Sequence, residues 1–161
     1  MAQIDALTAP EWEIASWLNS PSPLRLAGLR GRVVVLHAFQ MLCPGCVLHG
    51  IPQAQRVHDL FQGEAVQVVG LHTVFEHHEA MRDASLRAFV HEFRVTFPVG
   101  TDRHRDNDPL PLTMARYEMR GTPTLILIDR AGRLRAHEFG KVDDMALGAR
   151  IARLLAEPSP T

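Results

Sequence analysis

The chain has 161 residues, of which 46% are hydrophobic and 22% are charged, a length and composition that suit one globular domain with its own core. Seventeen basic residues against eighteen acidic ones give a formal net charge of −1, which excludes a strong field for nucleic acid or anionic membranes. Two cysteines are too few for a disulfide framework, and no apolar run is long enough for a membrane-spanning helix.

Residues 1–5 contain neither a basic nor an apolar segment, so no secretory signal is visible at this end of the sequence. We therefore expect a cytoplasmic protein, or a periplasmic one if a leader has been removed. We also expect no nucleic-acid binding and no membrane insertion.

The first half of the chain predicts a hairpin, a strand, a helix and a second strand. Apolar residues alternate on both sides of a turn within residues 9–31, which predicts a short N-terminal β-hairpin. Residues 33–39 are almost all apolar and often β-branched, as in a central strand buried on both faces. After Cys46 the apolar residues follow a helical stripe with a kink expected at Pro52, and residues 65–71 predict the second strand.

The second half predicts an amphipathic helix inserted before a short extended piece, then a short helix, a core strand, an antiparallel strand and a final helix. These elements occupy residues 77–94, 97–100, 114–119, 124–128, 134–139 and 143–155. The order predicts an α/β fold with a central mixed β-sheet flanked by helices.

The two cysteines occur three positions apart, as Cys43-Pro44-Gly45-Cys46, between the first core strand and its helix. Side chains at this spacing face each other across one helical turn, so the two sulfurs can meet. Free N–H groups and the positive end of the helix dipole favour a thiolate at the helix start. A CxxC pair between a strand and a helix is typical of a redox site.

Disulfide exchange needs an attacking thiolate, a resolving thiol and a group that moves the proton of the second thiol. We assign Cys43 as the attacking thiol, because it begins the helix, and Cys46 as the resolving thiol. His37, on the strand beneath the helix, and His49, three positions after Cys46, are candidates for moving the proton, since imidazole titrates near neutral pH. A core role for His37 and a surface role for His49 are the alternatives.

The order of elements, the CxxC unit after the first core strand and the Thr122-Pro123 pair before the third resemble the thioredoxin superfamily. The similarity is greatest to the TlpA/ResA-like, redoxin-type thiol-disulfide oxidoreductases, which share the N-terminal hairpin and the inserted helix. It spans about residues 10–156, the core of one thioredoxin-like domain over residues 1–161. The resemblance implies a cis peptide bond at Pro123, in a loop that packs beside the sulfurs, and a backbone at Thr122 that pairs with an extended substrate.

The same resemblance implies protein or small-molecule disulfides and thiols as substrates, an unidentified redox partner and no cofactor. Three positions depart from the family pattern. Leu42 stands where members usually carry a Trp, so a flat contact surface beside the sulfurs is missing, and we expect Leu42 to bind substrate together with Thr122 and Pro123. His37 and His49 stand where relatives have Asp or Asn and an acidic residue, so either imidazole could perform the task of a carboxylate.

Two other functions are possible from the residues alone. A peroxiredoxin-like peroxidase needs the pattern Pro-x-x-x-Thr/Ser-x-x-Cys, but the corresponding residues before Cys43 are Leu36 and Gln40. A metal-binding module could use Cys43, Cys46 and His49 as soft ligands, but no fourth ligand is evident and we expect no metal.

Overall fold

A computed structural model describes residues 7–160, and the expectation about residues 1–5 lies outside this range. Its centre is a six-stranded mixed β-sheet with the strand order β1-β4-β3-β2-β5-β6. The strands are β1 (Ile14–Leu18), β2 (Val33–Phe39), β3 (Val66–His72), β4 (Val99–Asp102), β5 (Thr124–Ile128) and β6 (Leu134–Phe139). The predicted mixed sheet flanked by helices is confirmed.

Strand β2 lies in the interior of the sheet, parallel to β3 and antiparallel to β5, and all seven of its residues are buried. This position explains its nearly continuous apolar sequence, because a strand covered on both faces has no polar side. Alternate side chains point to opposite faces of the sheet. Val33, Val35 and Phe39 belong to one core cluster and Val34, Leu36 and Ala38 to the other.

The helices are α1 (Ile51–Leu60), α2 (Asp83–Glu92), α3 (Leu112–Arg116) and α4 (Asp144–Ala156). Helices α1, α2 and α4 contribute to the core cluster on one face of the sheet, and α3 contributes to the cluster on the other. The inserted helix is confirmed as α2, which precedes β4 in the chain. No helix within residues 7–160 combines the length and apolar character needed to cross a bilayer.

The predicted N-terminal β-hairpin is wrong. Its first half forms β1, but this strand pairs antiparallel with β4, so that Trp17 lies opposite Gly100. A Cβ atom at Gly100 would lie 3.0 Å from Ile14 Cγ2 and 3.2 Å from the Trp17 ring. The absence of a side chain at this position therefore lets the two residues of β1 pack closely on β4.

The second half of the expected hairpin contains a 3₁₀ helix, Leu26–Leu29, instead of a strand. Leu26 and Leu29 are buried because residues three apart share one side of a 3₁₀ turn. The Glu11 carboxylate accepts the backbone N–H groups of Leu26 (2.6 Å) and Ala27 (3.0 Å) and so satisfies free donors of this turn. The alternation of leucines in the sequence did not reveal these contacts.

We predict that Gly70→Ala in β3 lowers the free energy of unfolding by about 1–3 kcal/mol, because the added methyl group overfills the core. A Cβ atom at this position would lie 2.9 Å from Phe97 Cε2 and 3.3 Å from Phe39 Cε1. Urea unfolding followed by circular dichroism measures the change. Gly148→Ala in α4 is the matched control: its Cβ meets no atom within 4 Å, so it should raise stability by about 1 kcal/mol through helix propensity. Equal effects of the two substitutions would contradict the packing argument.

Candidate active site

Cys43 and Cys46 lie just beyond the carboxyl end of β2 and form a disulfide, with their Cα atoms 5.2 Å apart. Cys46 is fully buried, whereas Cys43 is partly exposed. The backbone N–H of Cys46 lies 3.3 Å from Cys43 Sγ and donates to it, and the N–H of Val47 donates to the Cys43 carbonyl. The Cys46 N–H also donates to the Cys43 carbonyl at 3.0 Å, so this donor of the first helical turn is shared between that oxygen and the more accessible sulfur, and it stabilises a thiolate there after reduction.

The active-site helix begins with an irregular turn. Residues Cys46–Gly50 form a π-helical turn, in which the Ile51 N–H donates to the Cys46 carbonyl, five residues earlier. Pro52 has no N–H for the carbonyl four residues before it, and its ring would clash with that carbonyl, so a wider turn relieves the conflict. The kink expected at Pro52 is thus a local widening of the helix just before it.

This wider turn affects His49. In an α-helix, a residue three positions after Cys46 lies on the same face as Cys46. A π turn contains more residues per turn, so this relation does not hold for His49. The side chain of His49 is exposed, while Cys46 is fully buried.

The loop before β5 packs directly on the cysteine pair. Its Thr122–Pro123 peptide bond is cis, and the Thr122 carbonyl oxygen lies 3.5 Å from Cys43 Sγ. The proline ring contacts the helix at two glycines: a Cβ atom at Gly45 or at Gly50 would lie 3.3 Å from it. The Gly140 N–H donates to the Pro123 carbonyl at 2.8 Å and holds the other side of the loop.

His37 lies on the face of β2 that carries the active-site helix. It is 2% exposed, and neither ring nitrogen has a hydrogen-bond partner among the described residues. A Cβ atom at Gly50 would lie 3.6 Å from its Nδ1, so the imidazole is next to the turn that contains Cys46. Burial lowers the pKa of His37 to about 4, and the Gln53 side chain opposes this shift only in part. The ring is therefore neutral at pH 7 and has a free lone pair.

A pocket of about 270 Å³ opens beside Pro123, between α1 and the segment that leads into α4. His37 lines it from the sheet and the exposed His49 from the helix, so the structure brings both histidines to one pocket. Because its other lining residues are mostly polar or charged, the pocket can hold water next to the buried imidazole. They are Gly50, Gln53, Arg56, Pro123, Gly140, Lys141, Val142, Asp143 and Asp144.

Leu42 precedes the attacking cysteine and is 57% exposed. The surface beside Cys43 is therefore aliphatic, and the partly buried Met41 packs against the core behind it. Among residues 7–160, no three His, Cys, Asp or Glu side chains are grouped as metal ligands, and the sulfurs of Cys43 and Cys46 are joined in the disulfide.

The sequence patterns do not single out Gln53, although it lines the same pocket as His37. It is 5% exposed and belongs to the buried stripe of α1 together with Ala54 and Val57. A polar residue within an apolar helical stripe is the signal that could have identified it, because buried polar side chains need hydrogen-bond partners.

Comparison with known proteins gives matches over nearly the whole chain. Residues 7–137 match the model of the AhpC/TSA family. The crystal structure of a thioredoxin-like superfamily protein is 60% identical, with a TM-score of 0.93 over 96% of this chain and 100% of that one. A thiol-disulfide isomerase from Corynebacterium glutamicum is 47% identical, with a TM-score of 0.88 over 93% of this chain and 98% of that one.

A curated relative is much longer. Protein DipZ of Mycobacterium tuberculosis is 26% identical over 163 aligned positions, which cover 99% of this chain and 22% of that protein. The chain therefore spans about a fifth of the length of this relative.

We predict that acidification destabilises the protein through two buried histidines. Burial lowers the pKa values of both His37 and His72 to about 4, whereas an unfolded histidine titrates near 6.5. Between these pH values the unfolded chain binds protons that the folded protein does not, so stability falls as the pH drops from about 6.5 to 4. Each histidine accounts for roughly 3 kcal/mol of this loss.

Urea unfolding at pH 7.5 and 4.5 measures the effect. His72→Leu should reduce the difference in unfolding free energy between the two pH values, because it removes one of the two groups. His91→Leu changes an exposed histidine and is the control, with the wild-type difference expected. An unchanged difference in the His72 variant would show that its burial does not govern the acid response.

Proposed function

The chain belongs to the AhpC/TSA family and has a thioredoxin-like fold, and we propose that it is a thiol-disulfide oxidoreductase with Cys43 and Cys46 as its redox pair. The observation that supports this function most directly is the disulfide at the start of a helix. Its Cys43 sulfur is accessible and lies beside the Thr122–Pro123 loop. A reversible disulfide needs this combination of an accessible sulfur and a nearby partner thiol.

In the reductive direction, the Cys43 thiolate attacks one sulfur of a substrate disulfide. The substrate S–S bond breaks, its other sulfur leaves as a thiolate that takes up a proton, and a mixed disulfide with Cys43 remains. Cys46 then loses its proton and attacks Cys43 Sγ, which releases the second substrate sulfur as a thiolate. Two electrons pass to the substrate, and the protein ends with the Cys43–Cys46 disulfide.

The roles of the two cysteines follow from exposure and hydrogen bonding. Cys43 is the accessible sulfur and receives the Cys46 N–H, which favours its thiolate. Cys46 is fully buried and reaches a substrate only through the mixed disulfide. Cys43 therefore attacks and Cys46 resolves.

His37 takes the proton of Cys46. Two facts support this assignment over His49: the His37 imidazole is buried against Gly50 with both nitrogens unpartnered, and His49 is exposed to water. The low pKa of His37 belongs to the disulfide state, in which Cys46 carries no negative charge. A thiolate at Cys46 would raise this pKa, since an opposite charge favours the imidazolium.

Substrates are protein or small-molecule disulfides, which bind across Leu42 and the Thr122–Pro123 loop. The Thr122 carbonyl oxygen lies 3.5 Å from Cys43 Sγ and can accept a hydrogen bond from the backbone of a substrate, and the exposed Leu42 offers apolar contact. An unidentified redox partner restores the dithiol. A peroxidase is less well supported despite the family match, because Leu36 and Gln40 replace the Pro and the Thr/Ser of the peroxidatic pattern.

We predict that the reduced protein catalyses dithiothreitol-dependent reduction of insulin and that Cys43→Ser lowers this activity to the uncatalysed rate. Cys46→Ser should instead accumulate a mixed disulfide at Cys43, because the resolving thiol is missing. Turbidity of the insulin B chain measures activity, and mass spectrometry of the quenched mixture detects the adduct. Full activity of the Cys43 variant would refute the assignment of the attacking sulfur, and inactivity of the wild type towards every disulfide tried would refute the function.

A further inference from the structure

We propose that the disulfides reduced by this protein carry carboxylates beside their sulfurs, and that Arg120 and Lys141 bind these carboxylates on either side of the Thr122–Pro123 loop. This inference rests on the proposed function, since it names the substrate class of the same redox pair. It assigns a role to two basic side chains outside the CxxC unit and the cis-proline loop.

Arg120 lies on one side of the loop, where an aromatic ring holds its guanidinium group. The Arg120 Cζ atom lies 5.5 Å from the centroid of the Phe139 ring, a distance typical of a cation–π contact. The same ring packs on Gly121, where a Cβ atom would come within 3.1 Å of Phe139 Cε2. Gly121 directly precedes Thr122, whose carbonyl oxygen is 3.5 Å from Cys43 Sγ. A positive charge is thereby held next to the loop that meets the accessible sulfur.

Lys141 lies on the other side of the loop. Gly140 precedes it and donates its N–H to the Pro123 carbonyl at 2.8 Å, so the backbone just before Lys141 is held against the loop. Lys141 is exposed and, together with Pro123, lines the pocket of about 270 Å³ beside the cysteine pair. A substrate group that enters this pocket therefore meets the Lys141 side chain.

The two cations approach the loop from opposite faces of the sheet. Glu138 forms an ion pair with Arg150 of α4, on the face that carries the active-site helix. Because neighbouring residues of a strand point to opposite faces, Phe139 points to the other face, and Arg120 lies over its ring there. The pocket that Lys141 lines is on the α4 face. A substrate that crosses the loop therefore passes between the two cations.

Both positive charges are available to a ligand. Neither Arg120 nor Lys141 forms an ion pair within residues 7–160, not even with Glu118, which precedes Arg120 by two residues. Arg56 and Arg150, by contrast, each form an ion pair with an acidic residue. Arg120 and Lys141 can therefore bind a carboxylate without first losing a partner.

The acidic side chains that line the pocket already have partners of their own. Arg56 and Gln53 both bond Asp144, and they lower its pKa more than Lys141 does. The Asp143 carboxylate accepts a backbone N–H as the N-cap of α4. The groups that remain for a substrate on the two sides of the loop are therefore cationic.

Recognition of this kind acts on the first step of exchange and leaves the redox balance unchanged. The Cys43 thiolate attacks one sulfur, the S–S bond of the substrate breaks, and the leaving thiolate takes its carboxylate with it. Cys46 then closes the protein disulfide, and two electrons have passed to the substrate. A thiolate and an anionic disulfide repel each other, so two cations beside the path of approach raise the rate of attack.

Two small disulfides of different charge measure this recognition. The reagent 5,5′-dithiobis(2-nitrobenzoic acid) carries two carboxylates, whereas 4,4′-dithiodipyridine is uncharged at neutral pH. Stopped-flow absorbance gives the rate constant of the reduced protein with each. We expect Arg120→Gln and Lys141→Gln each to lower the ratio of the dianionic to the neutral constant about threefold at low ionic strength, the effect of one exposed charge a few ångströms away.

The ratio separates recognition from other effects of the substitutions. A change in the pKa of Cys43 or in the packing of the loop alters both rate constants alike and leaves their ratio unchanged. Sodium chloride at about 0.5 M should bring the wild-type ratio close to that of the variants, because it screens exposed charges.

Arg153→Gln is the matched control. Arg153 is exposed in the last turn of α4, whereas the pocket borders the first turn, so the variant loses the same charge away from the site and should keep the wild-type ratio. Arg120→Lys keeps the positive charge and should also keep a ratio close to that of the wild type.

Two peptide disulfides distinguish a polypeptide from a small molecule as the source of the carboxylates. Disulfide-linked dimers of Gly-Glu-Cys-Glu-Gly and Gly-Gln-Cys-Gln-Gly differ in charge alone. If the double variant Arg120→Gln/Lys141→Gln loses more rate with the acidic dimer than with the neutral one, the substrate is an acidic polypeptide segment. A loss confined to the aromatic dianion assigns a small disulfide that carries carboxylates.

An unchanged ratio in the double variant would overturn the inference. An equal fall of the ratio in Arg153→Gln would do the same, because it would reduce the effect to the net charge of the protein. In both cases a wild type that closes its disulfide with the neutral reagent keeps its function as an oxidoreductase. A wild type that closes its disulfide with neither reagent would instead refute the proposed function itself.

Discussion

The close packing of Pro123 against two glycines holds the site together. Gly45 and Gly50 lie on the same helix, and a Cβ atom at either would come within 3.3 Å of the proline ring. Larger side chains would push the loop away from the helix, and the Thr122 carbonyl would move from its position 3.5 Å from Cys43 Sγ. The approach of loop to helix thus depends on two residues without side chains and on the Gly140 N–H behind the loop.

The site also combines burial with polarity in a way that ordinary cores avoid. An imidazole with two unpartnered nitrogens is costly inside a protein, because folding removes its hydrogen bonds to water. His37 nevertheless lies on a central strand between apolar neighbours and borders a polar pocket. Such a group lowers stability, and a role in proton transfer is a physical reason for its presence at the redox pair.

Local patterns determined much of this arrangement. The nearly continuous apolar sequence of residues 33–39 is typical of a strand that is buried on both faces, and these residues form the interior strand β2. The spacing of Cys43 and Cys46 permits a disulfide wherever a helix follows, and the disulfide is present. The helix periodicity located α4 to within one residue and the end of α2 to within two, because amphipathic stripes reflect short-range geometry, but α2 begins six residues after the predicted start, where a 3₁₀ turn over His78–Met81 precedes it.

Only the tertiary structure decided which distant segments meet. The partner of β1 is β4, more than eighty residues away, and nothing in the alternation of residues 9–31 distinguishes this pairing from a hairpin. The same holds for Gln53, whose amide meets Val142 and Asp144 across the pocket. Sequence patterns record the periodicity of one element and the chemistry of its residues. Contacts between elements depend on how whole surfaces fit, and this fit sets the burial of His37, the exposure of His49 and the place of the proline loop beside the sulfurs.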